Sequence, residues 1–522
     1  MGAIAFDAMA LLFLQNIGAF YMYFNKKKLG AAVLAAVFTL NVAAVGNSIS
    51  YAAKKNDKKS TVQTTQSVKS NRPTASAQAD KTSRQAVLSN IRLGDNAKYT
   101  RVVLDMSNAK KYTTVYENNN TRLVITMDGV TSPLSAAPAG RGAVKDLILA
   151  KYGDTLQVIV DMKAAMPNKV YTLQNPNRIV IDVNKEYEEE SFNQVEDGLL
   201  NGKYVRVDGR GMLTAYMLDI DPAKFDVTLA LGAGKVSSGL RKLTAIASSN
   251  GAVAGVNGGY FDWSGDFLIG DIRINGKTAG IGTQNRTGLI KRKDGSYDIG
   301  RGNYSGAVKV NGRSISFWGV NCPRGTDAIV MYNSLYGSST GTNEFGTEYV
   351  IVDGRVQSIT KGNSVIPANG VVVSVHGQSQ ANFAGIKVGD KAVIEEGFGP
   401  EVGDAPDFYG AGPQLVANGR VSVASKAEQF GNDVAGGRAP RTAVGLKDNG
   451  HLLLMVVDGR QSHSIGASLT EMGQLLVKYG AVKGFNLDGG GSSEMILNNR
   501  IVNSPSEGVE RRIGNAMLVM RK

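Results

Sequence analysis

Short β-branched runs dominate the hydrophobic pattern between residues 85 and 185. Arg101-Val-Val-Leu-Asp105-Met106 recurs as Gln157-Val-Ile-Val-Asp161-Met162, and Arg122-Leu-Val-Ile-Thr-Met127 recurs as Arg178-Ile-Val-Ile-Asp-Val183. Both pairs are offset by 56 residues, so the region is an internal duplication. Apolar runs bounded by Asn-rich turns predict a strand-turn-strand unit in each half. Neither half can bury its own face, so the two together make a small all-β sandwich.

Beyond residue 195 the pattern changes. Leu469, Met472, Leu475, Leu476 and Tyr479 recur at helical spacing, Ser468 and Glu471 form a capping box, and Gly480 stands where a helix stops. A strand over 481–487 comes next. The same plan appears upstream, with a helix over 243–249, a stop at Asn250-Gly251 and a strand ending at Asn257. Gly251-Ala-Val-Ala-Gly-Val-Asn257 matches Gly480-Ala-Val-Lys-Gly-Phe-Asn486, which sets Asn257 and Asn486 at equivalent strand ends. A hairpin is predicted from Val444 to Val457. Asn275-Gly276, Asn311-Gly312, Asp353-Gly354 and Asn418-Gly419 lie between apolar runs and read as hairpin turns. The fold class is therefore α+β: a β-rich domain over residues 195–522 with a few packed helices, behind the small sandwich.

Charge and composition matter mainly at the N-terminus. Lys26, Lys27 and Lys28 precede an apolar run from Leu29 to Leu40, and Ser50-Tyr51-Ala52 supplies small residues for cleavage. Residues 1–53 thus read as a signal peptide region, with Met22 as the true start. Residues 54–84 hold eight Lys or Arg against Asp57 and Asp80, lack apolar periodicity and read as a basic disordered linker. Much of the net charge of +13 sits in these two segments. The folded part is only mildly basic, which argues against a nucleic-acid partner. The single Cys322 excludes an internal disulfide framework, and three histidines are few for a Cys/His zinc site.

Candidate chemistry is concentrated in Asp488-Gly489-Gly490-Gly491-Ser492-Ser493-Glu494. Read alone, this stretch is either a tight turn or an anion-binding nest of backbone N–H groups beside a carboxylate. Asn257-Gly258-Gly259, with Asp262 just beyond, is a second Gly-rich loop at a strand end. Between the two lie Arg441-Thr442, Asp458-Gly459-Arg460 and His463, and Arg512 stands further on. A guanidinium suits bidentate phosphate binding.

Taken together, these phrases resemble the phosphodiester glycosidase family, and the duplicated strands resemble the AMIN domain. The first resemblance implies a hydrolase that cleaves a sugar-1-phosphodiester, for example of N-acetylglucosamine, at the anomeric carbon. Asp488, with Glu494 or Asp262, would serve the anomeric centre. Arg441, Thr442, Arg460, Arg512, the Gly489–Gly491 amides, Ser492 and Ser493 would hold phosphate. Asn257, Gly258, Gly259, Asn486 and His463 would position the sugar. Asp458 would orient Arg460 or bind a metal; no cofactor motif is present, and a divalent cation is left open. The second resemblance implies a secreted, envelope-associated protein that contacts a cell-wall polymer and acts on a phosphate-linked glycan. Two alternatives stand beside this reading: a non-catalytic envelope polysaccharide-binding protein and a peptidoglycan amidase. Oligomeric state is not legible.

Overall fold

The alternation in the duplicated region becomes two facing sheets in the computed structural model, which describes residues 85–522 apart from Asn119 and Thr283. The expected signal region, the Met22 start and the basic linker lie outside the described residues. Along Thr155–Met162 the side chains of Leu156, Val158, Val160 and Met162 are buried while the positions between them are half-buried, as a period of two requires. The repeats do not each close their own sheet. Tyr99–Met106 of the first pairs antiparallel with Arg178–Asn184 of the second, and Arg122–Asp128 pairs with Thr155–Met162. This exchange puts Leu104, Ile125, Val158 and Ile181 into one shared core. Val207, from the hairpin Leu199–Asp208 and Gly211–Ile220, joins the same core and ties the sandwich to the larger module.

That module is built on an eight-stranded sheet. Its order is Tyr187–Glu196, Leu199–Asp208, Gly211–Ile220, Leu452–Val457, Arg441–Lys447, Ala481–Asn486, Gln414–Ala417 and Arg420–Val421. Leu452–Val457 is buried at every position because both faces of the sheet are covered. On one face, Val444, Leu454, Val456 and Phe485 pack against Val256, Met495, Met517 and Val519. Those residues belong to a second sheet of Phe225–Leu231, Asn515–Arg521, Ala254–Asn257, Met495–Leu497 and Arg500–Ile501. The other face meets the helix Leu469–Lys478, whose Leu469, Met472, Leu475 and Leu476 cover Leu415, Ala443 and Met455. Each such aliphatic side chain contributes about 1.5–3 kcal/mol when fully buried. Both halves of the Ser468–Glu471 capping box are formed.

Smaller sheets fill residues 272–410. One contains Ile272–Ile274, Lys277–Gly280, Asp407–Gly410, Thr287–Lys291 and Tyr297–Arg301, and an insertion between Ser305 and Gly397 adds two more around its own core. The predicted Asn-Gly and Asp-Gly pairs are turns with positive φ at both residues, for example 48° and 76° at Asn275 and Gly276. Strands predominate and the helices are short, as the α+β reading expects.

Candidate active site

Four strand ends meet at one edge of the packed sheets. Asn486 ends one strand, Arg441 opens its neighbour, and Val457 ends the next. Asn257 ends a strand of the facing sheet. The loops that leave the two asparagines converge. Asn257 Nδ2 donates to the Asp488 carbonyl at 2.8 Å, and Asp488 N–H donates to the Gly258 carbonyl at 3.2 Å. Asn257 Oδ1 accepts from Thr442 Oγ1 (2.7 Å) and from Glu494 N–H (3.2 Å). With its amide fully engaged and almost no exposure, Asn257 is a strut between the loops. Thr442 shares that work.

Asn515, in the neighbouring strand, fixes the second loop. Its Oδ1 accepts Gly259 N–H at 2.7 Å and its Nδ2 donates to the Gly259 carbonyl at 3.2 Å. A Cβ on Gly258 would stand 1.9 Å from that Oδ1, so glycine is required there by close approach.

Asp488 stands at the junction. Burial pushes its carboxyl up to about 6, against the stabilising pull of Ser492, the Gly489 N–H and the Arg511 charge. The three glycines do not form the open nest suggested by their run. Gly489 N–H is taken by Asp488 Oδ1 (2.8 Å) and Gly490 N–H by the Pro440 carbonyl (2.9 Å). Their use is steric: they let guanidinium groups lie on the backbone. Arg460 Nη atoms sit 3.5 Å from where a Gly490 Cβ would be, and a Gly491 Cβ would overlap Arg511 and Glu507.

Arg511, not Arg512, therefore reaches the loop. It pairs with Glu507 and lies 3.4 Å from Ser492 Oγ. Arg512 is exposed on the strand Arg512–Ile513 beside Arg241–Lys242. Ile513 is buried, so strand alternation sends Arg511 to its side and Arg512 outward. Reading the sequence for arginines alone misses Arg511, although the alternation that points to it is there.

Other expected residues fall elsewhere. Arg441 is buried with its donors on the carbonyls of Ala467 (3.1 Å), Val434 (2.8 Å) and Gly437 (3.4 Å), and burial lowers its pKa. Asp458 is occupied by Asn503 Nδ2 and Ser504 N–H (both 3.0 Å) and by His463 Nε2 (3.0 Å), so it braces the loops under Arg460. Glu494 is fully buried, with Oε1 accepting Arg511 N–H at 2.9 Å and Oε2 unpartnered. Burial, with Glu510 nearby, raises it to about 8, so it is neutral at pH 7. Asp262 closes a turn by accepting Ser264 N–H at 2.9 Å. Ser493 is buried beneath the loop with its Oγ unpartnered. No three His, Cys, Asp or Glu side chains group as a metal cage among the described residues.

Tyr260, a residue to which the sequence alone assigns no role, adjoins Asn486. Its hydroxyl donates to the Gly412 carbonyl at 3.1 Å and lies 3.3 Å from Asn486 Nδ2. Burial and the Asp488 charge both raise its pKa, while Arg286 and Arg441 oppose them.

Residues 346–520 match the phosphodiester glycosidase family, and residues 90–183 match the AMIN domain. The chain carries a phosphodiester glycosidase domain behind an AMIN domain. Over 67 residues it is 45% identical to the N-acetylglucosamine-1-phosphodiester alpha-N-acetylglucosaminidase of Bos taurus and 42% identical to that of Homo sapiens. Over 80 residues it is 35% identical to the SPbeta prophage-derived uncharacterized protein YomE of Bacillus subtilis (strain 168). The aligned stretches cover 13–15% of this chain, and only 12–13% of the length of those relatives. A hypothetical protein from Synechocystis shares the fold at a TM-score of 0.59 and 21% identity, over 84% of this chain and 81% of that one. The matched phosphodiester glycosidase segment contains Asp488, Arg460 and Arg511, while Tyr260 and the Asn257 loop precede it and pack into the same sheets.

Proposed function

We propose that this protein hydrolyses a sugar-1-phosphodiester at the anomeric carbon and releases free sugar and a phosphomonoester. The observation that carries this reading is Asp488, raised to about 6 at a buried strand end beneath a glycine turn on which Arg460 and Arg511 lie. Such a carboxyl is mostly ionised at pH 7 yet basic enough to take a proton. The phosphate departs as an anion and needs a positive surface more than a proton donor. In the proposed step the C1–O bond breaks with its electron pair left on the phosphate oxygen. Water forms the new bond to C1, and its proton passes to Asp488. Asn486 and Tyr260 shape the sugar side of the site, and Asn257, Thr442, Asn515 and Asp458 hold the loops in register.

The natural substrate we propose is a phosphate-linked glycan of the cell envelope, with N-acetylglucosamine the first sugar to test because two relatives are named for it. The AMIN domain would hold the enzyme on a cell-wall polymer, and the protein would work outside the cytoplasm. Incubating the purified chain with a panel of sugar-1-phosphodiesters tests the reading. Release of free sugar with a matching phosphomonoester is expected. Tight binding of the panel without turnover would favour the non-catalytic polysaccharide-binding alternative instead.

A further inference from the structure

One cation beside the site has no hydrogen-bonding or ion-pairing side-chain partner among the described residues. Arg286 precedes the strand Thr287–Lys291, and its guanidinium carbon lies 4.1 Å from the Phe430 ring centroid and 5.6 Å from that of Tyr260. It makes no side-chain hydrogen bond or ion pair with any described residue, and its Nε is buried and unpartnered. Burial lowers its pKa.

The stack is held from behind by Glu428, itself almost fully buried. Glu428 accepts Thr287 N–H (3.0 Å), Thr287 Oγ1 (2.7 Å) and Gln414 N–H (2.9 Å). One carboxylate thus anchors the residue after Arg286, the segment after Gly412-Pro413 and the loop that carries Phe430. Glu428 has Arg301 Nη2 at 4.0 Å and attracts Arg286 without a hydrogen bond to it, so the Arg286 charge is positioned and left without a bonded counter-ion. A largely buried cation with unpaired planar donors is costly unless an anion completes it. A guanidinium fork fixed on an aromatic face matches the oxygens of a phosphate. Tyr260 joins this fork to the catalytic side, since its hydroxyl experiences both Arg286 and Asp488.

Building on the phosphodiester reading, we propose that Arg286, stacked on Phe430, is a further residue that receives the phosphate of the substrate, in addition to the positive surface of Arg460 and Arg511. Arg441 cannot take that place, because its donors already bind three backbone carbonyls.

Calorimetric titration of the full chain with inorganic phosphate and with dimethyl phosphate, an anion that offers no sugar, tests the site apart from turnover. Arg286→Gln should weaken dimethyl phosphate about 10–100-fold, in line with loss of a charge-assisted bidentate contact. Arg286→Lys should recover part of that loss, and Phe430→Leu, which keeps the charge but removes its platform, should fall between. In kinetics the same substitutions should raise KM for a sugar-1-phosphodiester more than they lower kcat. Wild-type affinity in a folded Arg286→Gln chain overturns the proposal, as does a wild-type chain that binds neither anion. Should Arg286→Gln fail to fold, wild-type affinity in both Arg286→Lys and Phe430→Leu overturns it equally. Arg286-dependent phosphate binding in a chain that cleaves no sugar-1-phosphodiester upholds the site and overturns the hydrolase reading.

Discussion

The AMIN sandwich and the Asp488 site use the same residue types in opposite ways. In the sandwich, Arg101 forks onto Asp182 and Arg122 onto Asp161, each through two bonds of 2.7 and 2.8 Å. Those hydrogen bonds hold both carboxyls below their ordinary range. Around Asp488 the pairing is incomplete: Arg511 is paired with Glu507, but other charges stand without an opposite one. Arg286 has no hydrogen-bonding or ion-pairing side-chain partner among the described residues, Arg441 faces carbonyls, and burial drives Asp488 and Glu494 upward. Paired charges steady a register, whereas unpaired ones retain an interaction for something not yet bound.

Breaking that contrast at its centre should have the largest effect. Asp488→Asn should lower hydrolysis by about 10³-fold while leaving the fold intact, as removal of a base in the reacting shell does. In the wild type, kcat/KM should climb with pH through about 6 as Asp488 ionises. A rate flat between about pH 5 and 7 would remove Asp488 from the base role.

Next comes the strut. Asn257→Ala leaves the Thr442 hydroxyl, the Glu494 N–H and the Asp488 carbonyl without their partner. It should cost about 2–3 kcal/mol in denaturant unfolding and misplace Asp488. A stable variant of full activity would show that the two loops do not depend on this contact.

Glu494→Gln should change turnover little at pH 7, because the native side chain is already neutral there. Its effect is on stability. A folded-state value of about 8 against an ordinary 4.5 means the native state binds more protons than the unfolded chain between those limits. The contribution is fully present below about pH 4.5 and is lost as pH rises through 8. Glu494→Gln should therefore flatten Tm against pH over that window, and an unchanged slope would contradict the burial assigned to it.

The smallest effect belongs to the sandwich. Arg122→Ala should cost at most about 1 kcal/mol, since the pair is partly exposed to water. The depressed carboxyl of Asp161 reverses the sign: this contribution is present above its ordinary value of 3.8 and is lost as pH falls through the lower native value. Hydrolysis should be unaffected. A larger loss in urea titration would mean the fork is worth more than an ordinary half-exposed pair.

What could be read from the sequence was local or repeated. The duplication, the Ser468–Glu471 box, the Asn-Gly turns and the twin asparagines each depend on residues near one another in the chain or on a repeated phrase. The functions of the site depend on partners far away. Gly490 N–H is taken because Pro440, in another strand connection, offers its carbonyl. Arg286 becomes an anion site only because the chain returns with Phe430 and Glu428. Arg441 stands in a promising phrase, and only the fold shows carbonyls around it. Arg511 is the exception, since alternation about Ile513 points to it from the sequence alone.

The most direct test runs the reaction in ¹⁸O-labelled water with an N-acetylglucosamine-1-phosphodiester and locates the label by mass spectrometry. Cleavage at the anomeric carbon with Asp488 as base places ¹⁸O on the released sugar and leaves the phosphomonoester unlabelled. Label in the phosphate would show attack at phosphorus and contradict the role given to Asp488 and its surrounding arginines.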